Sequence, residues 1–231
     1  MFSLKKLLFK AGSPEHLPDD VRSAIEAWRS SPAPELDDAH FHVRYLVIDI
    51  VSTGLNPDSD ELLGIAATAV SQGGMVQPED AFYLDFASLD GDNAVTMETT
   101  AGHRLDRQLM AFLQFAAKAP LVTYHVPYVG GFLQRLYKER LGINFEPQWV
   151  DLAWLLPVMF EEKSHTLLPL DQWLELFGLE AGGVRRDAMA NTLMLARLFQ
   201  MLLVRVTDKD ITTAARLIDE SRASSFLRRT H

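Results

Sequence analysis

The chain has 231 residues, a formal net charge of −9 and no cysteine. That length predicts one sizeable domain with appendages, and the missing cysteine excludes disulfides, thiolate metal sites and cysteine nucleophiles. The acidic balance argues against a general nucleic-acid binder, because phosphates are held by basic surface, but not against a nuclease whose metal ions carry the phosphate. No apolar run reads as long enough to cross a bilayer. The stretch Phe2-Ser-Leu-Lys-Lys-Leu-Leu-Phe9 has lysines in its middle and too short an apolar core for a secretory signal; it is expected to dock on the body as a small amphipathic helix. The expected compartment is the cytoplasm.

Residues 1–43 read as an N-terminal helical extension and linker. A helix opens at Pro18-Asp-Asp20 and places Val21, Ile25 and Trp28 on one face; Ser30-Ser-Pro-Ala-Pro34 ends it. The main domain is predicted over 44–206. Tyr45 to Ile50 is a β-branched apolar run, and Leu62 to Val70 is a second. Gln72-Gly-Gly74 signals a hairpin, and Ala81 to Phe86 alternates as a third strand. The first half therefore reads as an antiparallel meander. The rhythm then turns helical at 107–117. A strand over 121–124, a helix over 129–141, a short strand over 149–152 and a helix over 167–177 follow. A long helix is predicted over 187–206, with Asp187 at its start, where a carboxylate meets free amides. Residues 207–231 form a last helix and tail. This order predicts an α/β fold with a mixed five-stranded sheet flanked by helices.

Asp49 is the one charge inside the first strand. A carboxylate there is costly to bury unless a cation or hydrogen-bond donors meet it. Two readings stand side by side: a metal ligand at the strand's end, or an aspartate held by turn amides near Thr53 and Gly54.

The order of elements and three separated motifs resemble the DnaQ-like (DEDDh) 3′–5′ exonucleases of the ribonuclease-H-like fold, a family that includes the proofreading epsilon subunit of DNA polymerase III. The first family motif, a strand ending in Asp-x-Glu-Thr-Thr-Gly-Leu, stands here as Asp49-Ile-Val51-Ser-Thr53-Gly54-Leu55. The second, with a histidine and then an aspartate before Phe-Leu, stands as Leu121-Val-Thr-Tyr-His125-Val-Pro-Tyr-Val129-Gly-Gly-Phe-Leu133. The third, a histidine five residues before an aspartate, stands as Gly182-Gly-Val-Arg-Arg-Asp187. Trp149-Val-Asp151 matches a further short strand and its aspartate.

The resemblance implies hydrolysis of a terminal phosphodiester with two Mg²⁺ or Mn²⁺ ions, held about 3.5–4 Å apart by carboxylates. It also implies contact between a nucleic-acid 3′ end and Thr53, Gly54, Leu55 and His125. Of the five family positions, Asp49 and Asp187 remain as catalytic and metal residues; Val51, Val129 and Gly182 occupy the other three. Val51 and Val129 offer an ion neither charge nor lone pair, and Gly182 removes the general base, worth roughly 10²–10⁴-fold in rate. His125, His165, Asp58, Glu61 and Asp151 are the residues that stand near enough in sequence to substitute, and none restores the pattern. Trp149, Trp154 and Trp173 read either as base-stacking platforms or as core. The sequence thus implies a degenerate, catalytically inactive exonuclease that binds a protein partner, a nucleotide or a nucleic-acid end. The alternative is an active one-metal exonuclease built on Asp49 and Asp187, with His125 or His165 as base.

Overall fold

The apolar run at Tyr45 becomes β1 (Tyr45–Ser52), the middle strand of a five-stranded sheet in the order β3-β2-β1-β4-β5. The structure is a computed structural model and describes residues 17–89, 97–179 and 188–229. On one side of β1 lie β2 (Leu62–Ser71) and β3 (Met75–Asp85), joined to it as an antiparallel meander. On the other side lie β4 (Leu121–Thr123) and β5 (Trp149–Asp151), both parallel to it. The predicted mixed sheet is present.

Side chains of β1 alternate between two cores, as the pleat requires. Leu46, Ile48 and Ile50 pack with α1 (Asp19–Ser30), α2 (Met97–Ala116) and α3 (Val126–Leu141). Tyr45 and Val47 pack with α4 (Leu152–Met159), α5 (Leu170–Leu176), α6 (Ala188–Asp208) and α7 (Ala214–Arg229). By the same alternation Asp49 and Val51 belong to the second face. Val21 and Ile25 are buried against the body and Trp28 packs beside them, so the predicted face of α1 is the one that docks. Residues 2–9 lie outside the described residues.

Several boundaries differ from the sequence reading. Pairing of β3 begins at Met75 and Val76, then breaks before Ala81; Pro78 sits in the gap and has no amide for the ladder. α2 begins ten residues earlier than predicted, at Met97 rather than Arg107. α3 starts at Val126 with Pro127 in its first turn, a position where proline loses no helical bond. α4 was not anticipated: Leu-Ala-Trp-Leu-Leu-Pro-Val-Met has no polar face to reveal a helical period. α7 starts at Ala214 rather than near Asp208, because Asp210 takes φ 61° and turns the chain first. By length and composition α6 is apolar enough to cross a membrane, which corrects the expectation that no run is. Its Leu195, Leu198, Phe199, Leu202 and Leu203 are buried in the second core.

A polar clasp closes this core. His40 is buried, its Nδ1 is 2.7 Å from the Tyr45 hydroxyl, and its Nε2 is 2.8 Å from the Ile211 carbonyl. The carbonyl requires a proton on Nε2, so Nδ1 accepts from Tyr45 and the ring is neutral. Burial lowers the His40 pKa, in keeping with that form. Tyr45→Phe leaves Nδ1 buried without a donor. It should lower stability by about 1–3 kcal/mol, read from urea unfolding at pH 7.5; an unchanged midpoint would show that the bond contributes nothing.

Candidate functional site

β1 and β4 are adjacent parallel strands whose chains leave in opposite directions, β1 to β2 and β4 through α3 to β5. Open α/β sheets bind ligands in the crevice at the carboxyl ends of such strands. The motif residues fall there.

Asp49 sits near the end of β1, only partly exposed. Its Oδ2 accepts from the Asn191 amide on the first turns of α6 at 3.1 Å. Burial pushes its pKa up to about 6, against the Asn191 and Ile50 donors that favour the charged form. Turn amides do not hold it, contrary to one of the two readings of the sequence. The Thr53 amide donates to the Glu61 carbonyl and the Thr53 hydroxyl accepts from the Glu61 amide, both at 2.9 Å. The turn is closed by Asp60 instead, whose carboxylate accepts from the Asn56 amide at 2.7 Å. A Cβ on Gly54 would overlap that carboxylate, which is why glycine stands there. Leu55 at the tip is 82% exposed.

The turn docks on α3. A Cβ at Gly131 would lie 2.7 Å from Pro57 Cγ, so the helix meets the proline ring with nothing between. Arg135 donates to the Asp60 carbonyl. Ser52 Oγ donates to the Gly54 carbonyl at 2.5 Å, which leaves the Tyr128 hydroxyl to donate to Ser52 Oγ at 2.7 Å. Burial raises the Tyr128 pKa; the Ser52 bond lowers it, and the charges of Asp49 and Asp60 raise it further.

His125 is exposed, precedes α3 and takes φ 72°. Its amide and that of Val126 donate to the two oxygens of Asp151 at 2.9 and 2.8 Å, and the Ala153 amide adds a third bond at 3.0 Å. Asp151 thus joins β4, α3 and α4. Burial raises its pKa while the amides oppose the rise. Val129 is fully buried in the first core, among the side chains of β1 and α3. Val51 is half-buried on the Asp49 face, opposite Gly64. His165 lies exposed between α4 and α5, and Asp58 lies exposed in the turn. Trp154 and Trp173 are buried, and Trp149 packs against the first core, which corrects the stacking reading.

No family model matches the chain. In sequence it is similar to the PolC-type DNA polymerase III of Thermotoga petrophila, 23% identical over 148 residues, and of Thermotoga maritima, 26% identical over 153. Each match covers 62% of this chain and 11% of the polymerase, so the chain spans about a tenth of the relatives it matches. In structure it is similar to cell-death related nuclease 4 (CRN-4), with a TM-score of 0.51 at 15% identity, covering 69% of this chain and 63% of that one. The chain shares the ribonuclease-H-like fold and resembles the DnaQ-like exonucleases.

In a DnaQ-like cleft the described residues offer little to a divalent ion. Among them no group of three His, Asp or Glu side chains stands close enough to hold one. The neighbour that reaches Asp49 is an amide donor, and Val51 and Val129 supply no ligand. Gly182 and Asp187 lie outside the described residues. Asn191, Tyr128, Ser52 and Asp60 were missed as site residues. Only Asn191 carried a sequence signal, being four residues beyond Asp187 and so on the same helical face.

Two predictions follow from this packing. Gly131→Ala drives a methyl into Pro57 and should destabilise by about 1–3 kcal/mol. Gly130→Ala meets Trp149 only at 3.4 Å and should be neutral or stabilising, since alanine favours the helix by up to about 1 kcal/mol. Urea unfolding of the pair checks the contrast. For Asp49, the unfolded chain releases the proton near 3.9 and the folded chain near 6. Across that window the unfolded state binds fewer protons, so this group's contribution falls as pH rises from about 4 to 6 and stays lost above. Asp49→Asn should therefore gain on wild type with rising pH, by on the order of 1 kcal/mol at pH 7 once solvent screening is allowed for. Equal stability of the two at pH 4 and at pH 7 would refute the raised pKa.

Proposed function

We propose that this DnaQ-like domain does not hydrolyse phosphodiesters and acts by binding. The observation that carries the reading is the Asn191 amide on Asp49: a donor occupies a carboxylate oxygen where a two-metal site needs lone pairs facing cations. Val51, one pleat further on, supports it, because a valine can neither bridge ions nor neutralise them. The rim, with Thr53, Leu55 and His125 exposed and Gly54 half-buried, is the surface offered to a nucleic-acid 3′ end, a nucleotide or a protein partner. With a net charge of −9, a protein partner fits better than a phosphate backbone. Residues 44–206 carry the family core in this reading, flanked by the 1–43 extension and the 207–231 helix and tail, and the setting is the cytoplasm.

The test uses highly purified full-length protein, a 5′-labelled single strand and Mn²⁺. Wild type should shorten the strand no faster than Asp49→Asn, and Mn²⁺ should leave its Tm unchanged. Val51→Glu adds a carboxylate on the Asp49 face opposite Gly64. It should create a Mn²⁺-dependent Tm rise of a few degrees at about ten times Kd, where ligand linkage is worth roughly 1.4 kcal/mol. Shortening from the 3′ end by wild type that vanishes in Asp49→Asn would establish the one-metal exonuclease instead.

A further inference from the structure

One face of α6 fills the second core through Leu195, Phe199, Leu202 and Val206. The opposite face carries Arg197, Met201, Val204 and Asp208, spaced four, three and four residues apart, so they form one line along the helix. All four are exposed, Val204 to 57%. The Gln200 amide donates to the Gly74 carbonyl at 2.6 Å and pins the β2–β3 turn against one side of the helix. Phe41 packs on that turn, where a Cβ on Gly74 would come within 3.2 Å of its ring, and Met75 follows Gly74 in the chain, 55% exposed. Four exposed apolar side chains, Phe41, Met75, Met201 and Val204, are thereby gathered about Gly74 and the outer half of α6.

The charges at the two ends of the row say what covers it. Among the described residues neither the Arg197 nor the Asp208 side chain has an ion-pair partner. Asp208 closes the last turn of α6, where the helix dipole disfavours a carboxylate and a nearby cation would offset it. Read backwards, Arg-apolar-apolar-Asp is its own complement. Two such helices laid antiparallel about a two-fold axis set Met201 of each copy against Val204 of the other, and Arg197 of each against Asp208 of the other. A parallel pair would stack Arg197 on Arg197 and Asp208 on Asp208. The four-three-four spacing is that of a seam between paired helices, and an apolar centre with charged ends is the anatomy of a protein interface. A membrane surface fits less well, because interfacial helices carry a basic rim, whereas this helix ends on Asp208 and is followed by Asp210 in a chain of net charge −9.

We infer that the outer face of α6 is the contact between two copies of this chain, packed antiparallel about a two-fold axis with Phe41 and Met75 flanking the helices. Such an interface is isologous and closes at the dimer. The inference is independent of the cleft at Asp49 and stands whether or not that cleft hydrolyses anything.

Sedimentation equilibrium of the full chain tests it. Wild type should dimerise with a Kd on the order of micromolar, and Val204→Asp should be monomeric. Arg197→Glu and Asp208→Arg each oppose like charges at both ends of the seam and should weaken the dimer roughly tenfold at low salt. The double variant Arg197→Glu/Asp208→Arg restores opposite charges and should return to within about threefold of wild type, a coupling that only paired residues show. Circular dichroism checks that each variant folds; should Val204→Asp fail to, the charge exchange between exposed positions still decides. A wild type that stays monomeric at about a hundred micromolar, a dimer that both single reversals leave intact, or a double variant no tighter than the singles would each overturn the assignment. So would monomeric wild type that binds vesicles of phosphatidylcholine and phosphatidylglycerol through Val204, which would give the face to lipid.

Discussion

Asp49 is a carboxylate placed in the central strand of a sheet, with a pleat of apolar side chains on either side of it along the chain. Water is largely excluded there, so the charged form needs a compensating group. A side-chain amide from α6 and the Ile50 backbone do part of that work, and burial still outweighs them. The state of the whole cleft follows from that balance. Burial and these donors together set its pKa at about 6, and the Tyr128 hydroxyl, its own pKa raised, donates to Ser52.

The frame around the cleft is held by a different aspartate. Asp151 accepts three backbone amides and its own amide donates to Ser221 on α7 at 2.8 Å. Those bonds fix the end of β4, the starts of α3 and α4, and the docking of the last helix. They impose the left-handed conformation of His125, since its amide and the next must both reach one carboxylate. Strain of this kind persists where surrounding bonds over-determine it. The Pro57–Gly131 contact fixes the other wall. Neither device involves a metal ligand.

The strands and most helices were legible because their apolar periods are strong: Tyr45 to Ile50 and Leu62 to Val70 declare buried strands, and Val21, Ile25 and Trp28 declare a helix face. α4 was not legible, because a segment apolar on all sides has no period to detect. The cleft was legible as far as its motifs ran in sequence. Val51 and Val129 declare positions without a carboxylate by residue type alone. The Asn191 contact was not readable in that way. It joins residues 142 apart and depends on which pleat of β1 faces α6, a tertiary fact. The same holds for Tyr128, whose hydroxyl crosses from α3 to β1.

Burial bears on two of the three positions that carry no acidic side chain. Val129 is fully buried in the first core. An aspartate at that position would be a buried charge, which costs several kcal/mol unless a partner neutralises it. An apolar side chain of similar size removes that cost outright. Val51, half-buried on the Asp49 face, puts no second like charge there, so no mutual repulsion raises the Asp49 pKa from that position. Asp49 itself is only partly exposed and accepts from Asn191. Where carboxylates share an ion, taking one away weakens ion binding and makes each remaining carboxylate harder to bury, so substitutions at such a site are coupled. Wherever the side chain points into the core, as at Val129, a valine leaves the fold more stable than an unpaired aspartate would.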